Sequence, residues 1–337
     1  MTTPNPREAR PTTLASTLLS GEGLGCAQLG NLYRAITDEQ ARAIVDAAWD
    51  AGIRHFDVAP HYGLGLAERR LGDALRERPR DEYVLSTKVG RLLDENSSFK
   101  GERDPDLFEV PATHTRRRDY SRDGVLRSLD ESLERLGLDR VDIAYVHDPD
   151  ENLTEALEGA FPALDELRRQ GVLRGYGAGM NHSAPLADFI RNTDANVMMI
   201  AGRYTLLDQS AADDLLPLAR ERKVEIVGAG VFNSGILAKS RPPEHPRYNY
   251  VDAPTAVVER VLAISSICDE HSVSLRSAAS HFPFTSSAVS AIVLGADSPA
   301  HARENAELLG ENVPEALWRD LETAGLVRRD IQWEDRA

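Results

Sequence analysis

The sequence predicts an α/β protein, a single-domain closed (β/α)8 TIM barrel. Three observations lead there. Short apolar runs alternate with amphipathic segments eight times along the chain, the rhythm of parallel strands joined by crossover helices. No low-complexity linker interrupts the 337 residues, and such barrels take about 250 residues plus insertions. Side chains able to do acid–base chemistry close several of the apolar runs, and the carboxyl ends of the strands are where these barrels keep their active sites. The barrel is expected over residues 17–325, with a loose tail before it (1–16) and another after it (326–337).

The elements follow in order. Leu24 to Leu29 is the first strand, followed by a loop with Asn31 and Tyr33. Thr37 and Gln40 form a capping-box pattern, and Ile44, Ala47, Ala48 and Ala51 keep helical spacing up to Gly52. Ile53 to Asp57 is the second strand, Ala67 to Leu75 the second helix and Tyr83 to Lys88 the third strand. Gly90 to Tyr120 then breaks the rhythm with a charged stretch lacking periodicity. A loop of that length inside a compact domain reads as a lid.

The alternation resumes with a helix over Ser121 to Gly137, a strand over Val141 to His147 and a helix over Leu153 to Arg169. Leu173 to Gly179 is the fifth strand, leading to a helix capped by Ser183. Val197 to Ala201, Val224 to Gly230 and Ala291 to Gly295 complete the strands. Helices are expected over Ala211 to Arg222 and Ala256 to His271, with a short extra one over Ser274 to Phe282. Ser298 and Pro299 read as N-cap and first residue of the last barrel helix, and a further helix follows Pro314.

Composition narrows the function classes. With 42% apolar and 28% charged residues the chain can bury a full core. A net charge of −15 argues against a nucleic-acid partner, because neutralising phosphates needs a basic face. No apolar run reaches the roughly 18 residues of a membrane span, and Met1 to Ser16 lacks the apolar centre of a signal peptide. A cytoplasmic protein without a membrane partner is expected. Cys26 and Cys268 fit reduced core residues.

The chemistry gathers around Asp57-Val-Ala-Pro-His-Tyr62. Asp57 closes the second strand, Lys88 the third and His147 the fourth, so all three face one barrel mouth, with Tyr62 in the adjoining loop. A free phenol has a pKa of about 10; a neighbouring ammonium favours its ionised form. Tyr62 is therefore the expected acid/base, Lys88 the group that tunes it, Asp57 the anchor of Lys88, and His147 the donor that orients a substrate oxygen. The plainer reading takes Asp57 and Lys88 as a structural ion pair and Tyr62 as a loop aromatic.

At these residues the sequence resembles the aldo-keto reductase superfamily, from Leu24 to Asn305. The likeness rests on Asp57-x-x-x-x-Tyr62-Gly63, Thr87-Lys88 and Val146-His147, supported by Gly177-Ala-Gly-Met-Asn181, Asn233-Ser-Gly-Ile-Leu237, Ser298-Pro299 and Arg303-Glu304-Asn305. Leu24 to Tyr33, His147 to Asp150 and Ala201 to Gln209 are similar to the branch of bacterial sugar and pyridoxal dehydrogenases. The resemblance implies a nicotinamide dinucleotide lying across the strand ends. It gives Asn181 to the carboxamide, Phe232, Asn233, Ser234, Gly235 and Ser298 to the pyrophosphate, and Glu304 and Asn305 to the adenosine end. Tyr33 and Tyr204 would wall the substrate pocket, and a monomer is the family default.

Several positions depart from the family pattern. Met180 replaces a serine, Ala201 a glutamine and Ala229 an aromatic residue for which Phe232 is the substitute. Gly295 stands where a lysine is common and His301 where an arginine is, and those cations bind the 2′-phosphate of NADP. Asp297 offers a carboxylate suited to a ribose diol. NAD is therefore expected, with NADP, through Arg303, as the alternative. The implied reaction is oxidation of a sugar or pyridoxal-like hemiacetal to a lactone, with reduction of an aldehyde or ketone by NADPH as the alternative.

Three rival readings stand beside this one. The glycine patterns at Gly21, Gly175 and Gly228 lack the spacing and acidic residue of a doubly wound dinucleotide site. Nine histidines include no His-x-His or His-Glu-x-x-His, so no metal is expected. A non-catalytic dinucleotide-binding sensor is the remaining class. Arg116 to Arg118 reads as a solvated run, and Trp318 as packing for the terminal helix, while Trp333 lies in the acidic tail.

Overall fold

A computed structural model describes residue 19 and residues 21–249 and 251–328 of the chain. The expected tail over 1–16, most of the one over 326–337, and Trp333 lie outside the described residues.

Eight parallel strands close into a barrel in the order β1 (Gly21–Gly25), β10 (Val289–Gly295), β9 (Glu225–Ala229), β8 (Val197–Ala201), β7 (Gly175–Met180), β6 (Ile143–His147), β3 (Val84–Val89) and β2 (His55–Asp57). Helices α1 (Asp38–Asp50), α2 (Leu66–Leu75), α3 (Arg122–Leu136), α5 (Phe161–Arg169), α6 (Ser183–Asn192), α7 (Leu215–Arg222), α8 (Thr255–Glu270) and α10 (Pro299–Leu308) follow the strands, as the sequence predicts. The short α9 (Leu275–His281) and the terminal α11 (Glu315–Thr323) are both present, and Trp318 packs 6.0 Å from Phe282. Cys26 and Cys268 are buried free thiols. Among the described residues no helix is long and apolar enough to cross a membrane.

Two of the expected helix starts are built as the sequence implies. Thr37 accepts from the Gln40 amide while the Gln40 side chain accepts from the Thr37 amide. Ser298 accepts from the amide of His301, and Pro299 opens α10. At α6 the cap lies one residue earlier than expected: His182 holds that position and Ser183 is already helical. The helix expected over Leu153 to Arg169 runs as α4 (Leu153–Glu155), a π turn (Ala156–Ala160) and α5. Pro162 has no N–H to give to an i−4 carbonyl, which accounts for a wider turn at that point.

Strand alternation sorts the side chains. Val84, Ile143, Tyr145, Val197, Met199, Val227, Ala291 and Val293 fill the barrel interior, whereas Phe56, Leu85, Ala144 and Val146 pack against the helices. Counting by two from Val84 and Ile143 puts Lys88 and His147 on the interior face at the mouth. Asp57 joins them by register, pairing with Ser86.

Two local expectations are corrected. The first strand is Gly21–Gly25, and Cys26–Gly30 is a 3-10 turn rather than a strand continuing to Leu29. The turn still buries Cys26 and Leu29, so its apolar pattern mimics a strand. The Gly90 to Tyr120 segment is not structureless either. It carries an antiparallel hairpin, β4 (Arg91–Glu95) with β5 (His114–Arg118), whose connecting loop packs Phe108 and Val110 with Leu64 and Leu93. Arg116 is not solvated. It is half-buried, pairs with Asp104 at 2.6 Å and donates to the His61 carbonyl at 2.9 Å.

Candidate active site

The interior face of β2 and β3 carries a continuous polar chain. Lys88 Nζ donates to Asp57 Oδ2 at 2.6 Å and to the Val58 carbonyl at 3.2 Å. Ser86 Oγ donates to Asp57 Oδ1 at 2.7 Å, and His55 Nε2 lies 3.3 Å from Ser86 Oγ. Burial works against the Lys88 ammonium, but Asp57 and then Tyr62 outweigh it and hold the amine above the ordinary lysine range. No sequence motif marks His55 or Ser86. Both sit two residues before a catalytic candidate on the same strand face, and that period of two was the signal available.

Tyr62 is placed by a loop that touches the loop after β1 backbone to backbone. Gly63 has φ +62, and a Cβ there would meet the Gly30 carbonyl oxygen at 2.3 Å; one on Gly30 would meet Tyr62 C at 2.6 Å. Only glycines allow this approach, and it sets the Tyr62 ring 5.0 Å from Lys88 Nζ and 6.1 Å from the His147 ring. Burial pushes the phenol up to about 12, while the Lys88 charge pulls it down. The expectation that Lys88 makes this phenol acidic is therefore corrected: the net shift is upward, because loss of water outweighs the ammonium.

His147 is held well below the usual histidine range by burial and then by the Arg91 and Lys88 charges, so it is a neutral imidazole. Its backbone is fixed from behind by Tyr120, whose hydroxyl donates to the carbonyls of His147 (2.8 Å) and Asp148 (3.1 Å). Arg91 Nη2 donates to Asp148 Oδ2 at 2.6 Å, and Arg91 Nη1 lies 3.3 Å from His61 Nδ1. The His61 ring stands edge-on to His147 at 5.5 Å.

A cavity of about 770 Å³ runs from this cluster across the barrel mouth, large enough for a dinucleotide fragment together with a small substrate. Of the residues chosen from the sequence, Tyr33, Asp57, Tyr62, Lys88, His147, Asn181, Phe232, Asn233, Ser234, Gly235, Gly295 and Asp297 line it. Ser298, Arg303, Glu304 and Asn305 do not. Ser298 caps α10, Arg303 is exposed, and Glu304 and Asn305 both accept from Arg276, with Asn305 also donating to the Gly295 carbonyl. Tyr204 is not a pocket wall. It is buried 5.2 Å from Phe282 with its hydroxyl 2.9 Å from Thr285 Oγ1. Cys26, Gln28, His61, Phe108, Asp148, Met180 and Met199 also line the cavity; the sequence marks Met180 by its place beside Asn181 and His61 by its place beside Tyr62, and gives none of them a role.

The far end suits an anionic, extended ligand. Asn233, Ser234 and Gly235 have φ of 44°, 60° and 91°, curling the backbone tightly, and the N-terminus of α10 opens nearby with the partial positive charge that favours phosphate. Oxygens of Gln28 and Asn233 on the cavity wall are buried without a hydrogen-bond partner among the described residues. These features fit a nicotinamide dinucleotide. Asp297 is not a bare carboxylate: His301 Nδ1 lies 2.5 Å from its Oδ1 and Arg34 Nη2 lies 4.0 Å from its Oδ2. Among the described residues no group of His, Cys, Asp and Glu is arranged to hold a metal ion.

Comparison with known proteins agrees with this geometry. The chain is 46% identical over 308 residues to D-threo-aldose 1-dehydrogenase of a Pseudomonas species, covering 90% of this chain and 94% of the relative. It is 41% identical over 323 residues to pyridoxal 4-dehydrogenase of Microbacterium luteolum, with the same coverage. In fold it is similar to a glycerol dehydrogenase from Gluconobacter oxydans, with a TM-score of 0.74, 21% identity and 95% of each chain covered. The Aldo/keto reductase family matches residues 23–324. An oxidoreductase scaffold, a polar cluster at its mouth and relatives that are dehydrogenases converge on one assignment: the chain belongs to the aldo/keto reductase family.

Proposed function

We propose that this oxidoreductase takes NAD and oxidises the hemiacetal form of an aldose or a pyridoxal-like aldehyde to a lactone, with Tyr62 as acid/base. The observation that carries the reading is the buried Asp57–Lys88 pair at 2.6 Å, set beside Tyr62 and His147 at one end of the cavity. The two relatives that are aldose and pyridoxal dehydrogenases support the substrate class.

Asn181, the Phe232 to Gly235 turn, Gly295 and Asp297 would hold the dinucleotide, which when bound supplies a hydride acceptor. The chain's own groups handle the proton. Lys88, kept charged by Asp57, stabilises the Tyr62 phenolate, and the phenolate takes the proton of the anomeric hydroxyl. The neutral His147 offers a single N–H to a substrate oxygen and adds no charge of its own. Hydrophobic walls from Phe108, Met180 and Met199 keep water from the reacting carbon.

The preference for NAD rests on the absence of a lysine at Gly295 and on the Asp297 carboxylate, which repels a 2′-phosphate. The pairing of Asp297 with His301 and Arg34 favours the second reading, reduction of an aldehyde or ketone with NADPH, since the Arg34 guanidinium and the His301 imidazole stand at the same spot. Absorbance at the reduced-nicotinamide band, followed with a panel of aldoses and aldehydes and both dinucleotides, tests the proposal. Turnover of an aldose with NAD is expected. Tight NAD binding without turnover of any substrate would replace it with the sensor reading.

A further inference from the structure

We infer that Asp148 is a substrate-recognising residue, whose carboxylate and His147 together clasp a hydroxyl of a polyhydroxylated substrate next to the reacting carbon. The inference rests on the function proposed above.

The geometry begins with a gap. Asp148 Oδ2 lies 3.6 Å from His147 Nε2, too far for a direct hydrogen bond, and both residues line the cavity beside Tyr62. His147 Nδ1 is the buried nitrogen on the other side of the ring. One hydroxyl seated between Nε2 and Oδ2 can accept from the imidazole and donate to the carboxylate at once. Carbonyl compounds without a neighbouring hydroxyl have nothing to give the carboxylate. A sugar, with hydroxyls on adjacent carbons, offers one at the reacting oxygen and another beside it.

The carboxylate is also built to stay put. Arg91 holds the same oxygen at 2.6 Å and is itself half-buried, 3.3 Å from His61 Nδ1. Asp148 has φ +41 although Pro149 follows it, a backbone state few residues adopt there. Its amide donates to the Gly179 carbonyl at 3.1 Å and its carbonyl accepts from Tyr120 at 3.1 Å, so β7 on one side and the loop after β5 on the other impose the conformation. Aspartate and asparagine are the side chains that best tolerate positive φ, which makes Asp148→Asn a change of charge with little change of backbone.

The test compares wild type and Asp148→Asn on an aldose with NAD and on propionaldehyde with NADH. The aldose kcat/KM is expected to fall by about 10-fold or more through KM, the size of one hydrogen bond to a charged group. Propionaldehyde turnover should stay within about twofold, which also reports that the variant is folded. Equal losses on both substrates would show that Asp148 acts only by holding His147 and Arg91, and would overturn the proposal alone. Undiminished aldose activity would overturn it as well. Wild-type enzyme that reduces propionaldehyde yet oxidises no aldose would overturn this inference, and failure to oxidise pyridoxal as well would overturn the proposed function with it.

Discussion

Lys88 Nζ and Asp57 Oδ2 meet at 2.6 Å inside the barrel mouth, with no more than 4% of either side chain exposed. An ion pair so enclosed is held by what surrounds it, here Ser86 and the Val58 carbonyl. Removing one partner strands the other charge, which costs roughly 3–5 kcal/mol. Asp57→Asn should lose stability of that order in urea denaturation, and Asp57→Asn with Lys88→Met should recover part of it. A single variant as stable as wild type would mean water already reaches the pair.

Tyr62→Phe keeps the ring and removes the proton site. Turnover should fall by about 10²–10⁴-fold while NAD affinity, measured by quenching of tryptophan fluorescence, stays within about twofold. Retained turnover would take the acid/base role away from Tyr62.

The same phenol gives a pH signature. Its ionisation is pushed up to about 12 by burial, so the phenolate grows steadily with pH throughout the accessible range. Lys88, held above the ordinary lysine range, stays charged meanwhile. Oxidation kcat/KM should therefore climb from pH 6 to about pH 10. A plateau near neutrality would show that the bound dinucleotide or another base sets the proton transfer.

Acid should destabilise the fold through its buried histidines. His55 is lowered from 6.5 to about 4 by burial, and His61 to about 2 by burial and then by Arg91. A depressed folded-state value means the stabilisation is complete above about pH 6.5 and is lost as pH falls toward 4, because the unfolded chain takes up protons first. For His55 alone the loss is of order 3 kcal/mol. Urea midpoints at pH 7.5 and pH 5 check this, and equal midpoints would contradict it.

Asp297 sits between Arg34 and His301 at the cavity rim. Replacing it with Ser removes a charge that repels phosphate and releases two groups that attract it. The ratio of kcat/KM for NADP over NAD should rise about tenfold. An unchanged ratio would place the ribose elsewhere.

The parts of this molecule legible in its sequence are those fixed by local chemistry or by a strict period. Eight strand and helix alternations, the Thr37 and Ser298 caps and the rim positions of Asp57, Lys88 and His147 belong to this group. What escaped depends on contacts between distant segments. Cys26 to Leu29 bury apolar groups as a strand would, and only the neighbouring loop reveals a turn. The hairpin within Gly90 to Tyr120 has no apolar alternation, because ion pairs such as Arg116–Asp104 replace it. Tyr204 sits in a loop that reads as pocket wall, yet Thr285 and Phe282 claim it. Arg91 and Asp148 are far apart in the chain, and nothing in either stretch announces that they pair.

That pairing makes the hairpin and the strand end a single unit of inheritance. Exchanging β4 and β5 for those of another barrel, to redirect which compounds are accepted, removes the counter-ion of Asp148 along with the intended surface. A chimera built this way should work only when the transplanted segment brings its own arginine, or when residue 148 is neutralised in the same step.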